Sequence, residues 1–63
     1  MPTIRVEMFE GRTVEQKKAF VKAVTQAAVE TLGGKPESVD IVIFEIKRDN
    51  WATGGELWSE KGR

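Results

Sequence analysis

The sequence contains no histidine, no cysteine and no tyrosine. Without cysteine or histidine, it excludes zinc sites of the finger or hydrolase type, disulfide frameworks, thiolate nucleophiles and Ser-His or Cys-His pairs. Most side chains that act as bases near neutral pH are therefore missing. If the protein is an enzyme, the remaining candidates are the N-terminal amine, a carboxylate with a perturbed pKa or a desolvated lysine.

Net charge and long apolar segments are lacking as well. Ten basic and ten acidic residues give a formal net charge of zero, so no overall field favours nucleic acid or an anionic membrane. The apolar runs are far too short to span a bilayer, and we expect no signal peptide. No glycine-rich phosphate-binding motif is present. We expect a cytoplasmic protein with no cofactor, no metal, no nucleic-acid partner and no membrane association.

The chain is short, at 63 residues, and we expect a single domain over residues 1–63. A domain of this size buries only about 60% of the surface that its unfolded chain exposes. Because neither disulfides nor a metal can add stability, oligomerisation is the expected source of further buried area.

Pro2 follows the initiator methionine, and removal of Met1 creates a chain that begins with a secondary amine. Aminopeptidases that remove methionine prefer a small second residue, and proline qualifies. An N-terminal amine titrates near ~7.7–8.0, and burial or nearby cations lower that pKa because both disfavour the charged form. Such an amine suits general base chemistry. The alternative interpretation is that Pro2 only begins an edge strand, where a missing N–H does no harm.

The first half of the chain shows two periodic patterns. Residues Thr3–Phe9 alternate, which predicts a strand whose apolar face is formed by Ile4, Val6 and Met8. Thr13 and Gln16 have the spacing of a capping box, which predicts a helix start. The apolar stripe of this helix, which we expect to be core, comprises Phe20, Val21, Val24, Ala27, Ala28 and Leu32. Gly33-Gly34 supplies the stop.

The second half predicts a further strand and a hairpin. Residues Val39–Ile46 are apolar on both faces, so both faces need cover, and one helix can cover only one of them. The other face must then meet another subunit. The order strand, helix, strand implies a parallel pair, and Gly54-Gly55 predicts a tight hairpin turn. We therefore expect an α+β fold: a β-α-β subunit with two parallel strands, one long helix and a C-terminal β-hairpin.

In combination, these segments resemble the 4-oxalocrotonate tautomerases, small members of the tautomerase superfamily that include the 2-hydroxymuconate tautomerases. The resemblance covers the whole chain. It rests on Pro2 after Met1, Glu10-Gly11-Arg12-Thr13 followed by Glu15-Gln16-Lys17, the strand Val39–Ile46, and Gly54-Gly55-Glu56-Leu57. It implies the tautomerase (MIF-like) fold, assembled as a homohexamer of three dimers.

The resemblance also implies roles for individual residues. In that family the N-terminal proline is the base, and it moves a proton from a dienol hydroxyl to a distant carbon of a 2-hydroxy-dienoate. Pro2 and Arg12 are then the catalytic residues of an isomerase. Arg12 matches the loop arginine that binds and polarises a substrate carboxylate, for which a guanidinium is suited. Trp51 matches an aromatic, usually Phe, that lines the apolar pocket, although it could instead only pack at an interface.

Asp40 departs from the family pattern, because the well-studied tautomerases have a second arginine at this position. An acid there repels a dicarboxylate such as 2-hydroxymuconate. Another subunit could supply a second cation from Arg5, Arg48 or Arg63.

Three functions compete. The first is a keto–enol tautomerase that acts on a small enolic 2-oxo acid or 2-hydroxy-dienoate. The second is a hydratase or dehalogenase of a haloacrylate, which needs a carboxylate to position water, and Ala52, Thr53 and Gly54 offer none. The third is a non-enzymatic oligomeric binding protein of the same fold, which a retained Met1 favours because the nitrogen of Pro2 is then an amide.

Overall fold

A computed structural model describes residues 2–61. In chain order its elements are β1 (Thr3–Phe9), α1 (Val14–Leu32), β2 (Asp40–Ile46) and a hairpin of β3 (Ala52–Thr53) and β4 (Glu56–Leu57). Short 3-10 turns lie at Pro36–Ser38, Arg48–Asn50 and Trp58–Glu60. The predicted α+β class, with a β-α-β unit followed by a C-terminal hairpin, is confirmed.

Helix α1 begins and ends at the predicted signals. Thr13 Oγ1 accepts a hydrogen bond from the Gln16 backbone N–H at 3.1 Å, and Gln16 Oε1 accepts one from the Thr13 N–H at 2.9 Å. This capping box satisfies two N–H groups that have no partner within the helix. Gly33 ends the helix with φ +85°, and its N–H donates to the Val29 carbonyl at 3.0 Å. Within residues 2–61, no helix has the length and apolar character needed to cross a bilayer.

Strands β1 and β2 are parallel, and their register decides which side chains share a face. Thr3 pairs with Asp40 at one end, and Phe9 pairs with Ile46 at the other. Side chains alternate between faces along each strand. Helix α1 covers the face of Met8 and Glu45, as the ion pair between Lys17 Nζ and Glu45 Oε2 at 2.6 Å shows. The opposite face, which we call the open face, carries Thr3, Arg5, Glu7, Phe9, Asp40, Val42, Phe44 and Ile46.

A single chain encloses very little core. Among the described residues only Ala28 is buried, at 8% exposure. On the open face Val42 and Phe44 are 43% and 42% exposed. The radius of gyration is 15.0 Å, whereas a compact chain of this length has about 11 Å. The predicted uncovered face of β2 is therefore present in the single chain.

The apolar stripe of α1 is less buried than predicted. Leu32, at the end of the stripe, is 71% exposed, and Phe20 and Ala27 are also exposed. A helix of 19 residues is about 28 Å long, whereas a strand of 7 residues spans about 23 Å. The last helical turn therefore passes the end of the sheet, and two strands are too narrow to cover the whole stripe.

The C-terminal hairpin turns at Gly54-Gly55, as predicted. The two glycines have φ of +63° and +82°, a combination required by the type I′ turn that suits the twist of a two-residue hairpin. Ala52 pairs with Leu57 and Thr53 with Glu56. The Trp58 N–H donates to the Trp51 carbonyl at 2.8 Å, which extends the pairing by one step and holds the two tryptophans at neighbouring positions.

Candidate functional site

Pro2 lies at the end of the sheet where both parallel strands begin. Its carbonyl accepts a hydrogen bond from the Asp40 N–H at 3.0 Å, and the residue is half-buried. This bond attaches Pro2 to the first residue of β2 and fixes where its nitrogen lies. The Asp40 side chain is exposed, on the open face beside Thr3. The only cation within ion-pair distance of a carboxylate in residues 2–61 is Lys17, so Asp40 has no such partner among those residues.

Arg12 lies at the opposite end of the sheet, in the loop between β1 and α1. The Glu10 N–H donates to the Ile46 carbonyl at 3.1 Å, which attaches the start of this loop to the end of β2. The capping box at Thr13 fixes its other end. Arg12 therefore extends from a short segment that is held in place at both ends. A side chain that binds an anion in one orientation needs such a fixed backbone.

A groove of about 340 Å³ lies beside Arg12, between the end of β1 and the first turns of α1. It is lined by Met8, Arg12, Gln16, Lys17 and Phe20. Met8 and Phe20 give it apolar walls, and Arg12 gives it a guanidinium. This volume is within the range of small-molecule sites, about 300–1,000 Å³. The groove can hold an anionic group together with a short apolar one.

Trp51 belongs to an aromatic cluster at the same end of the sheet. The Phe9 ring centroid lies 4.7 Å from that of Trp51 and 5.5 Å from that of Trp58. Both pairs are tilted at 58°, within the favoured range of aromatic packing. Trp58 Nε1 donates to Thr53 Oγ1 at 2.8 Å, and the Arg48 guanidinium lies 4.4 Å from the Phe9 centroid. Phe9 follows Met8 in the strand, so the cluster is on the opposite side of the sheet from the groove.

One chain does not bring the predicted site residues together. Six steps of about 3.3 Å separate Thr3 from Phe9, so the two ends of β1 are about 20 Å apart. Pro2 lies at one end, and Arg12 and Trp51 lie at the other. Among the residues suggested as a second cation, Arg5 lies on the open face opposite Val42 and Arg48 lies over Phe9, while Arg63 is outside the described residues.

Several neighbours of the site were missed at the level of sequence. The alternation of β1 gave Phe9 no role, although the parallel register places it at the same end as Trp51. The register pairs Phe9 with Ile46, 37 positions away, and the local alternation of β1 does not indicate it. The ion pair between Lys17 and Glu45 joins residues 28 positions apart, and no local pattern indicates it.

Comparison with known families and relatives gives one consistent result. A family model described as "Tautomerase enzyme" matches residues 2–61. A probable tautomerase of Bacillus cereus is 44% identical over 61 residues, which is 97% of this chain and 100% of the relative. A 2-hydroxymuconate tautomerase of Comamonas testosteroni is 40% identical over 63 residues and covers 100% of both chains.

Solved structures show the same fold. YwhB, described as a homologue of 4-oxalocrotonate tautomerase, superposes with a TM-score of 0.92 at 39% identity, and covers 97% of this chain and 100% of its own. A heterohexameric 4-oxalocrotonate tautomerase of Chloroflexus aurantiacus superposes with a TM-score of 0.90 at 31% identity, and covers 98% and 100%. The expected resemblance in sequence and fold is confirmed, and the second of these relatives is an oligomer.

Proposed function

Because the chain belongs to the tautomerase family and is thereby an isomerase, we propose that it interconverts the enol and keto forms of a small 2-oxo acid or 2-hydroxy-dienoate, with the amine of Pro2 as general base. The observation that carries the proposal is the anchoring of Pro2. The hydrogen bond from the Asp40 N–H to the Pro2 carbonyl fixes the first residue of the processed chain, so the free amine has a defined position. A base must be held within hydrogen-bond reach of the proton that it removes.

The proposed reaction needs no group beyond the amine and the substrate. The neutral nitrogen of Pro2 takes the proton of the enol hydroxyl, the O–H bond breaks, and a carbonyl forms at C2. The electrons of the carbon–carbon double bond move to C3, or through the diene to C5, and that carbon takes the proton back from the prolinium. The proline ends the cycle neutral, as it began.

Arg12 is proposed to hold the substrate carboxylate. A guanidinium stays charged at all working pH values and can grip a carboxylate with two parallel hydrogen bonds. The loop that carries it is fixed by the Glu10 to Ile46 hydrogen bond and by the capping box. Polarisation of the carboxylate end stabilises negative charge that develops on the substrate as the hydroxyl proton leaves.

The site is proposed to form between copies of the chain. Pro2 and Arg12 lie at opposite ends of a strand pair, so the base of one copy must meet the arginine of another. Trp51 lies at the arginine end but across the sheet from the groove, where it packs with Phe9. The apolar part of the open face supports such an assembly, since Val42 and Phe44 are well exposed in the single chain. We propose a homohexamer of three dimers, in line with the hexameric relative.

Neither alternative function gains support from a feature of its own. Among Ala52, Thr53 and Gly54, no carboxylate is available to position water for hydration of a haloacrylate. Retention of Met1 would favour a purely binding role, and the intact mass of the purified protein shows whether Met1 is retained.

The test compares the processed protein with protein that retains Met1, on phenylenolpyruvate, by following the loss of enol absorbance. Retention of Met1 converts the Pro2 nitrogen into an amide without basicity, and we expect proton transfer to be abolished while the circular dichroism spectrum is unchanged. In the processed form, kcat/KM should rise with pH through an apparent pKa below the unperturbed ~7.7–8.0 of an N-terminal amine, since burial and the Arg12 charge both favour the neutral base. Equal ketonisation rates for the two forms would show that Pro2 is not the base.

A further inference from the structure

The charges of the groove beside Arg12 limit what it can bind. Two of its five lining residues are cations, Arg12 and Lys17. Lys17 Nζ lies 2.6 Å from Glu45 Oε2, and both side chains are partly shielded, at 26% and 37% exposure. A contact this close leaves the pair with little net field beyond its immediate surroundings. Arg12 is therefore the only lining cation that has no anion partner among residues 2–61.

The other arginine at this end does not serve the groove. The Arg48 guanidinium lies 4.4 Å from the Phe9 ring centroid. Phe9 and Met8 are consecutive in β1, so their side chains point to opposite faces of the sheet. Since Met8 lines the groove, Arg48 lies on the far side of the strand from it. A ligand in the groove therefore meets one unpaired positive charge from the chain that forms the groove.

The walls of the groove favour an apolar group next to that charge. Met8 and Phe20 provide a thioether and an aromatic ring, both of which adapt to an apolar surface. Gln16 Oε1 already accepts a hydrogen bond from the Thr13 N–H, so the NH₂ group of Gln16 is what remains to contact a ligand, as a donor. A second carboxylate that is buried against these groups loses its water and gains no free cation from this chain, so this chain does not compensate its desolvation.

The negative charge of Asp40 at the Pro2 end also disfavours a substrate with a second carboxylate. The backbone of Asp40 is bonded to Pro2, and its carboxylate has no ion-pair partner within the described chain. Arg5 is the nearest cation on that face by register, diagonal to Asp40, and no ion pair forms between them. A substrate that reaches from the base to Arg12 with a carboxylate at each end places one of them near an acid.

We propose that the substrate is an enolic monocarboxylate with an apolar tail. Its carboxylate binds Arg12, and its tail packs on Met8 and Phe20. The ion pair of Lys17 with Glu45 enforces this preference, because it keeps the net charge of the groove at one positive charge. The proposal rests on the proposed function for the reaction, but its binding part can be measured without turnover. The ion pair acts as a selectivity device in addition to joining α1 to β2.

The experiment titrates the processed full-length protein with two inert acids, 3-phenylpropionate and adipate, by calorimetry at constant ionic strength. We expect 3-phenylpropionate to bind more tightly than adipate, by about 10-fold. Arg12→Ala should weaken the binding of 3-phenylpropionate by about 10- to 100-fold, which is the range expected for the loss of a charge-assisted hydrogen bond. Glu45→Gln releases Lys17 as a second free cation and should improve adipate binding by about 5-fold more than that of 3-phenylpropionate.

Glu30→Gln is the matched control. It makes the same change in net charge as Glu45→Gln, but in helix α1 at 13 residues from Lys17 and hence about 20 Å away, and it should leave both affinities unchanged. Adipate that binds wild-type protein as tightly as 3-phenylpropionate overturns the proposal. So does an Arg12→Ala variant with unchanged affinity, or a Glu45→Gln effect no larger than that of Glu30→Gln. The wild-type and Arg12→Ala comparison does not involve the ion pair, so it tests the monocarboxylate preference and the Arg12 contact even if Glu45→Gln fails to fold.

Turnover separates this proposal from the proposed function. If the acids bind as expected but the processed protein ketonises no enol, the base assignment fails and the binding preference stands. If the protein ketonises 2-hydroxymuconate faster than phenylenolpyruvate, the base assignment stands and the monocarboxylate preference is wrong.

Discussion

The two ends of the β1–β2 strand pair carry very different functional groups. Where the strands begin, Pro2 is bonded to Asp40, and the nearest functional groups are an imino acid and an acid. Where they end, Arg48 lies over Phe9 beside Trp51 and Trp58, and Arg12 lies beside the groove on the other side of the sheet. Parallel pairing makes this division unavoidable, because both N-terminal ends of the strands meet at one edge and both C-terminal ends at the other. A site that needs both chemistries must draw them from two copies.

The strongest test of this division mixes two inactive variants. Co-expressed Met1-retaining and Arg12→Ala chains should each be inactive or nearly so alone, yet hybrids contain sites with the free Pro2 of one chain and the Arg12 of the other. Random mixing makes about a quarter of sites intact, so activity should return to about a quarter of wild type. The measurement is the rate of phenylenolpyruvate ketonisation, with the ratio of chains checked by intact mass. Activity no higher than the sum of the separate variants would show that both residues of a site come from one chain.

The arginine end alone is tested by Arg12→Ala. We expect kcat/KM to fall by about 10- to 150-fold, corresponding to roughly 1.5–3 kcal/mol for a lost charge-assisted hydrogen bond. Arg12→Lys should retain part of the activity, because it keeps the charge and loses the bidentate fork. Lys18→Ala removes an exposed cation from α1 and controls for net charge. Wild-type kinetics for Arg12→Ala, on a substrate that requires Pro2, would refute the assignment of Arg12.

The acid end is tested by Asp40→Arg, which makes the two ends alike in charge. We expect kcat/KM for 2-hydroxymuconate to improve by about 5-fold relative to phenylenolpyruvate, since exposed charge pairs contribute about 0.2–1 kcal/mol each. Asp40→Asn separates the loss of the acid from the gain of a cation, and it should give a smaller change in the same direction. An unchanged ratio of the two substrates would mean that Asp40 does not influence selectivity.

The smallest expected effect concerns the open face between the two ends. If copies assemble through it, the thermal midpoint should fall by about 5 °C on tenfold dilution, because association contributes to the stability of the folded state. Val42→Glu places a charge on this face and should destabilise the assembly. Val14→Glu alters an even more exposed valine at the helix start, and it should have little effect. A midpoint that is independent of concentration, with a monomeric mass in light scattering, would exclude this assembly.

The fold was predictable where the signals are local. Alternation gave β1, and the Thr13 and Gln16 capping box together with Gly33 gave both ends of α1. The two-sided apolar pattern of β2 predicted an uncovered face, because one helix cannot cover two sides. Burial along α1 was overestimated at Leu32, since periodicity shows which side of a helix is apolar but not how far the sheet beneath it extends.

The site was predictable in its residues and not in its arrangement. Pro2 stood out because of the missing bases, and Arg12 and Trp51 came from the family resemblance. The contacts of Phe9 with Trp51, and of Lys17 with Glu45, join residues that are far apart in sequence, so they depend on strand register and helix placement. The parts can be identified in one chain, whereas the site that we propose between subunits depends on assembly.

The aromatic cluster makes this protein its own optical probe. The chain has two tryptophans and no tyrosine, and both tryptophans contact Phe9 at the same end of the sheet. Intrinsic fluorescence therefore originates from that end alone, and the Pro2 end is silent. The cationic Nζ of Lys61 lies 4.6 Å from the Trp58 ring centroid, so the emission is also sensitive to movement of the C-terminal segment. A change in emission on ligand addition locates the event at Trp51 and Trp58 without any label.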